Sequence, residues 1–382
     1  MDKHIYITAL HLSHGGIEMA ISLMSNAFIK KGYSVTILST YKLGEPAYEI
    51  LPQVEIKYLT DVKPNKEEFL AAIKSKNPFK ILKEGLYSLK VLRLKKSALV
   101  KEFKAIKKGI IISTRNEHSV LLSEYGNEDV LKIAQLHHDH RFDEKLLNDI
   151  RKGYTNIDYF TLLTDTLTEE IKREFKGRNN HTRCVTLENF LENTELNVDI
   201  SQKEKTVIAV GRLHTVKGFE RLLKIWKSIV QSYPEWKLCI VGDGEEKQNL
   251  LDLAKQYDIE GSVVFTGALS HDDVLEQMKK ASVYAMTSYS EGFPFVLIEA
   301  MSCGLPVVAF DVRVGPRAIV ENEKSGILVK DDDNEAFAQA VGKLFSDAEK
   351  RVEYSKNSID RAKCFSEEKI MEKWLALFER KV

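Results

Sequence analysis

The chain has 382 residues, too many for one ordinary domain and enough for two that each bury a core. Apolar residues make up 43% and charged residues 29%, a globular balance that excludes a disordered or fibrous chain. Lys plus Arg and Asp plus Glu both number 56, so net charge gives no reason to expect a polyanion partner, and the four Cys are scattered without a CxxC pair, against a disulfide framework or a cysteine-ligated zinc.

The first apolar run, Ile5–Leu12, is interrupted by Thr8 and His11 and is too short for a signal-peptide core. No apolar stretch approaches the roughly 18 residues of a membrane span. The expectation is a cytoplasmic protein, soluble or peripheral on the inner face of a membrane. Strands are predicted at His4–Leu10 and Ser34–Thr40. Between them Ile17, Ala20, Ile21, Met24, Ala27 and Phe28 keep helical spacing, and Gly32 follows as a C-cap. Strand, glycine turn, helix and strand make a βαβ unit. Gly15-Gly16 at the helix start would let backbone N–H groups approach a phosphate, or is a plain turn.

Lys63–Lys108 holds 13 Lys and one Arg against four Glu, a local net of +10 inside a neutral chain. Aromatic and aliphatic residues are interleaved with these charges. Such a segment suits an anionic membrane surface; the competing reading is a solvated helix pair whose apolar side packs on the domain. No nucleic-acid signature accompanies it.

Further strands are predicted at Gly109–Thr114, Leu131–His137, Tyr159–Thr164 and Cys184–Glu188. The third motif-bearing stretch, His137-His138-Asp139-His140, ends one of them. It offers a metal, one cleft-facing catalytic or sugar-binding histidine, or a purely structural cluster. In an extended segment His138 and His140 would face one way and His137 the other, which weakens the metal reading. A polar joint follows at 190–204. Beyond it strands are predicted at Thr206–Val210, Lys237–Val241, Ser262–Phe265, Val283–Thr287 and Pro306–Phe310, with helices at Phe219–Ser232, Glu245–Tyr257, Asp272–Lys280 and Phe295–Cys303. Such apolar strands alternating with helices imply parallel sheets covered on both faces. The fold class is therefore α/β, with two doubly wound domains and ligands outside the carboxyl ends of the strands.

Two loops carry the chemistry in the second half. In Gly211–Gly218, Arg212 and Lys217 are five apart in a strand-to-helix loop and suit a diphosphate, a fork and a mobile point charge, or are two solvated loop cations. In Glu291–Glu299, Pro294 fits a first helical turn, Gly292 and its neighbours offer N–H groups at a helix start, and Glu299 lies in so apolar a context that it needs a partner.

Together these residues resemble the family 4 glycosyltransferases, retaining enzymes of the two-domain GT-B fold. The resemblance spans nearly the whole chain: Gly15-Gly16; Val210-Gly211-Arg212-Leu213 with Lys217-Gly218; Ile240–Gly244; Phe265-Thr266-Gly267; Glu291–Glu299 as the E-x7-E pattern; and Ala300–Val308 after it. It implies an acceptor-side domain at 1–189, a linker at 190–204, a nucleotide-sugar domain at 205–364 and a C-terminal helix at 365–382 returning to the first domain. It implies that Gly16 belongs to the donor site, that Arg212 and Lys217 bind the donor diphosphate, Glu299 the ribose and Glu291 the donor sugar, with Glu291 and His137 in the catalytic site. Gly292, Phe293, Pro294 and Phe295 would bring backbone to the donor, and Leu269 would lie near the base. His137 is preferred over His138. The resemblance further implies a UDP-sugar donor, a glycan or lipid-linked acceptor, and no metal or other cofactor. Asp331-Asp332-Asp333 is read as a solvated turn and helix start. The rival readings are a metal-dependent hydrolase using His137–His140 and a non-catalytic nucleotide-sugar-binding subunit.

Overall fold

The structure is a computed structural model that describes residues 3–194 and 196–379. Glu195 of the predicted joint and residues 380–382 of the predicted last helix lie outside the described residues. The chain forms two compact units, Met1–Leu162 with Leu167–Thr186, and Leu163–Thr166 with Leu187–Val382.

The first unit runs β1 (His4–Ala9), α1 (Gly16–Lys30), β2 (Ser34–Tyr41), β3 (Glu55–Thr60), α2 (Lys66–Lys74), α3 (Pro78–Ala105), β4 (Ile110–Ser113), α4 (Asn116–Tyr125), β5 (Leu131–Leu136), α5 (Glu144–Gly153), β6 (Tyr159–Leu162), α6 (Asp165–Phe175) and β7 (Arg183–Thr186). Its seven strands pair in parallel in the order β3-β2-β1-β4-β5-β6-β7. The central strands β4 and β5 are buried along their whole length, as a sheet covered on both faces requires.

The second unit runs β8 (Thr206–Val210), α7 (Phe219–Val230), β9 (Lys237–Val241), α8 (Lys247–Gln256), β10 (Val263–Gly267), α9 (His271–Lys280), β11 (Val283–Met286), α10 (Phe295–Ser302), β12 (Val307–Asp311), α11 (Pro316–Ile319), β13 (Gly326–Lys330), α12 (Asn334–Ser346), α13 (Ala348–Ala362) and α14 (Glu367–Glu379). Its six strands are also all parallel, in the order β10-β9-β8-β11-β12-β13. Trp226, Trp236, Phe310 and Phe337 fill the core, with Trp236 stacked on Phe345 at 3.8 Å.

Two strands escape the sequence reading. β3 is an edge strand, EIKYLT, whose half-buried alternation carries no strong apolar run. β13 holds a short apolar triplet that reads as a loop approach until Gly326 is seen against Val307: a Cβ there would strike the Val307 carbonyl. In each sheet the strand order reverses once, at β1/β4 and at β8/β11. The crevices at these switch points lie outside the carboxyl ends of the strands, where doubly wound sheets hold ligands.

Candidate functional site

In the second unit the loops after β8, β9 and β11 meet at the switch point, and glycines let them touch backbone to backbone. Gly211 N–H donates to Val241 O at 3.0 Å and Leu213 N–H to Asp243 O at 2.9 Å. A Cβ on Gly242 would strike Gly211 O, and one on Gly244 would strike Leu213 O; Gly218, at φ +64°, sits as closely on Thr287 O. The loop at 215–218 is laced to the β11 end: Thr287 Oγ1 donates to Gly218 O at 2.9 Å and Tyr289 N–H to Val216 O at 2.8 Å.

This lacing brings two predicted residues together. Lys217 Nζ donates to Glu291 Oε1 at 2.7 Å, with Glu291 only 10% exposed. Pro294 is the N-cap of α10 rather than part of its first turn, so the helix opens at Phe295. The N–H groups of Gly292, Phe293, Phe295 and Val296 have no acceptor among the described residues, so the start of α10 presents donors and a favourable dipole end to an anion. The Phe293 ring is committed to packing, edge-on to Phe365 at 5.5 Å, and its carbonyl accepts from Asn189 Nδ2 at 3.3 Å.

Glu299 lies on the second turn of α10 and is buried. The partner expected for it proves weak: His271 Nδ1 stands at 3.7 Å, beyond hydrogen-bond reach. Burial pushes the Glu299 carboxyl above its ordinary range, and His271 opposes this in part. His271 opens α9, two residues after Leu269, so the predicted base-side segment does come next to the predicted ribose carboxylate. Arg212 is different. It is 70% exposed and reaches Glu245 at 3.1 Å, a surface pair of little energetic weight that leaves the side chain free to exchange partners.

Sequence reasoning missed Arg221. It is buried on α7, lies 4.0 Å from the ring centroids of both Tyr289 and Phe310, and donates to Thr287 O, to Ser288 O at 2.6 Å and to Asp331 Oδ1 at 2.9 Å. It thus fixes the carbonyls just before the Glu291 loop. The available signal was a cation in the apolar phase of an amphipathic helix, next to Leu222. Asp333, as expected, starts a helix: it caps α12, accepting from Ala336 N–H at 3.0 Å. Asp331 is not simply solvated, since it pairs with Arg221.

In the first unit Thr114 Oγ1 donates to Thr8 O at 2.6 Å, and His118 Nδ1 meets Thr8 Oγ1 at 3.0 Å, closing the floor of the β1/β4 crevice. A Cβ on Gly15 would meet the Glu18 carboxylate, which folds back over it; Gly16 faces open space. Glu18, itself buried, pairs with Arg115 Nη2 at 2.9 Å and lies 3.7 Å from His11 Nδ1. The N-terminus of α1 is thus already met by an acid. Glu18 and Arg115 were also missed; a carboxylate three residues after Gly15 was the visible hint.

β5 stops at Leu136, so the alternation expected for the three histidines is lost. His137 is half-buried, its Nδ1 shielded from solvent and its Nε2 3.4 Å from Gln135 Oε1. Burial, and then His138 and Arg115, hold its pKa down to about 3, so it is neutral at physiological pH. His138 is exposed while His140 is buried, opposite to the shared face expected. His140 Nδ1 accepts from Phe142 N–H at 3.0 Å and Nε2 faces Glu170 Oε2 at 2.9 Å, which fits a proton on Nε2. His137 and His140 therefore serve different partners, and among the described residues no group of three or more His, Cys, Asp or Glu is arranged to hold a metal ion.

Comparison with known proteins adds to this geometry. Residues 192–361 match the family model Glycosyl transferases group 1. An uncharacterized glycosyltransferase of Haemophilus influenzae is 30% identical over 365 residues, 95% of this chain and 96% of that protein. The N-acetylgalactosamine-N,N'-diacetylbacillosaminyl-diphospho-undecaprenol 4-alpha-N-acetylgalactosaminyltransferase of Campylobacter jejuni is 25% identical over 371 residues, 94% of each chain. Among solved structures, the pneumococcal O-GlcNAc transferase GtfA in complex with UDP and GlcNAc superposes with a TM-score of 0.76 at 15% identity, over 99% of this chain and 98% of that one. Anabaena HepE in complex with UDP does so at 0.75 and 17%, over 99% of both. At these identities the structural likeness is one of fold, and that fold is GT-B.

Proposed function

The chain belongs to the group 1 glycosyltransferases, and we propose that it moves a hexose from a UDP-sugar to a hydroxyl of a lipid-linked or cell-surface glycan acceptor, with retention and without a metal. The observation that carries this reading is the Lys217–Glu291 pair at the head of α10, with Glu299 buried one turn further on. A donor placed there would exchange the pair. Lys217 and the N–H groups at 292–296 would take the diphosphate, Arg212 would swing from Glu245 to join them, and Glu291 would accept from sugar hydroxyls. Glu299 would accept from the ribose hydroxyls, with Leu269 toward the base. In the first unit Gly16 leaves room for backbone approach, and neutral His137 offers a hydrogen bond to a sugar hydroxyl without adding a charge.

In the reaction the bond from the anomeric carbon to the diphosphate oxygen breaks and the acceptor oxygen bonds to that carbon on the same face. The acceptor proton passes to the departing phosphate. The negative charge growing on the diphosphate is met by Lys217, Arg212 and the helix start, electrostatic work that a metal performs elsewhere. Support for the acceptor class comes from the Campylobacter relative, whose name specifies a diphospho-undecaprenol substrate. Among the described residues no helix is long and apolar enough to cross a membrane, and we place the protein at the inner membrane face as a peripheral enzyme.

The test is a thermal-shift screen over nucleotide sugars, followed by turnover of the hits with EDTA present and NMR assignment of the product anomer. Retained configuration and EDTA insensitivity are expected, with Glu299→Gln weakening UDP without lowering the melting temperature. Binding without turnover would identify a non-catalytic subunit, and an inverted or EDTA-abolished product would overturn the mechanism.

A further inference from the structure

The segment Lys63–Lys108 resolves into α2 and α3, and α3 is 28 residues long. Asn77 caps it, accepting from Phe79 and Lys80 N–H, and Pro78 follows at its first position. The buried residues of α3 are Val91, Leu99 and Phe103, all beyond its first twelve residues. Lys95 meets Glu117, in the first turn of α4, at 2.8 Å, which places it level with the carboxyl edge of the sheet. The helix runs from that edge, where β3 ends, toward the amino end of β4. The turns before Lys95 therefore run on past the edge, for about 1.5 Å per residue. This is the edge that also bears Gly15, Arg115 and His137.

On that projection the apolar residues are not packed away. Phe79, Leu82, Leu86 and Leu89 follow i, i+3, i+7, i+10 spacing along one face, and they are 83%, 62%, 59% and 52% exposed. Leu70 and Ile73 of α2 are exposed as well. Monomeric soluble proteins rarely leave a contiguous apolar strip of this kind uncovered. The same side of α3 carries Lys83, Lys90, Arg93, Lys96 and Lys101, all exposed and none in an ion pair with a described residue. An apolar strip bordered by unpaired cations has two demands at once: hydrocarbon for the leucines and negative charge for the rim. A protein partner could meet the first; an anionic bilayer interface meets both without a shaped counterpart.

We infer that the exposed side of α3, with the outer side of α2, is a docking surface for an anionic lipid bilayer: Phe79, Leu82, Leu86 and Leu89 on its projecting half enter the headgroup–acyl boundary, and Lys83, Lys90, Arg93, Lys96 and Lys101 along the helix engage the lipid phosphates. The lipid-linked acceptor of the proposed reaction is the reason such a surface is useful, but the docking stands on α3 alone. The structure also redraws which cations matter. Lys95 is turned to Glu117, and Lys104 lies over the Tyr125 ring at 5.1 Å, so these two are engaged within the fold.

The test is co-sedimentation of the full chain with vesicles of phosphatidylcholine plus phosphatidylglycerol, against phosphatidylcholine alone. Partitioning is expected on the anionic vesicles only and is expected to fall as salt rises. A Lys90→Gln, Arg93→Gln, Lys96→Gln, Lys101→Gln variant is expected to lose at least about tenfold in partitioning, since each cation near such a surface adds to the attraction. Leu82→Ser, Leu86→Ser, Leu89→Ser is expected to lose a similar factor while keeping the wild-type melting temperature, since these residues are exposed. Phe79→Trp should shift its emission to the blue on anionic vesicles. Turnover on a short soluble acceptor is expected to be unchanged in all of them, which separates this surface from the nucleotide site. An unbound protein at low salt, equal binding to neutral vesicles, or a concentration-dependent dimer abolished by the leucine changes would overturn the inference, the last by assigning the strip to a second copy of the chain.

Discussion

The two units solve the same topological problem with different materials. At the β8/β11 switch point the frame is made of backbone: glycine loops in contact, carbonyls held by Arg221, and N–H groups at the start of α10, with Lys217, Glu291 and Glu299 set upon it. At the β1/β4 switch point it is made of side chains: Glu18 against Arg115, His118 on Thr8, His137 beside Gln135. A backbone site has to be written in residues that permit close approach, so its motif is legible and fixed. A side-chain site can be rebuilt by substitution on an unchanged frame. The matched family model, at 192–361, covers the backbone-built half.

If that contrast is right, its largest consequence falls on Arg221. Removing the buried Arg221 leaves the Thr287 and Ser288 carbonyls without their donor, a loss of about 1–3 kcal/mol for each buried group, while the half-exposed Asp331 regains water. Arg221→Ala is expected to lower stability by that order and to weaken UDP binding, read by chemical denaturation and calorimetry; Arg221→Lys should not restore either, because it lacks the fork. Unchanged UDP affinity in a folded Arg221→Ala protein would show that the loop does not depend on this clamp.

Next come the site residues themselves. Lys217→Ala and Glu291→Gln are each expected to reduce turnover about 10- to 150-fold, the effect of ~1.5–3 kcal/mol for a charge-assisted hydrogen bond acting in the transition state. Lys217→Ala should also weaken free UDP, whereas Glu291→Gln should not, since only the former would touch the diphosphate.

The side-chain-built unit should be the pH-sensitive one. Burial pushes His118 down to about 3, against an opposing Glu117 and with Lys95 and Arg115 adding to the shift. An unfolded histidine titrates near pH ~6.5. Between these values the unfolded chain takes up a proton that the folded chain refuses. Stability is therefore full above about 6.5 and is lost as pH falls toward 3, at up to ~1.4 kcal/mol per pH unit for one fully excluded proton. Melting temperatures measured across this window should fall with acid, and less steeply for His118→Asn; an equal slope in the variant would remove His118 as the cause.

The smallest effect is expected at Arg212. Its pairing with Glu245 is exposed, so Arg212→Ala should change stability by less than about 1 kcal/mol. Any loss it causes should appear in UDP affinity alone.

Strand periodicity and the glycine spacings were enough to read two parallel sheets, the loops at 211–218 and 291–299, and the helices that follow them. Those features are local: an apolar strand, a residue without Cβ and a helix start announce themselves within a few positions. What lay beyond reach depends on residues far apart in the chain. Nothing near Arg221 says that Asp331 and the carbonyls at 287 and 288 will surround it, and nothing in the apolar run around Glu299 says that the His271 ring will stand 3.7 Å from it. The separate fates of His138 and His140 were set by where β5 ends, and the division of α3 into a packed end and an exposed end by the length of the strands beside it. Composition could count the charges and leucines of that helix. Only the position of the sheet edge, met at Lys95, sorts them into those that pack and those left facing outward.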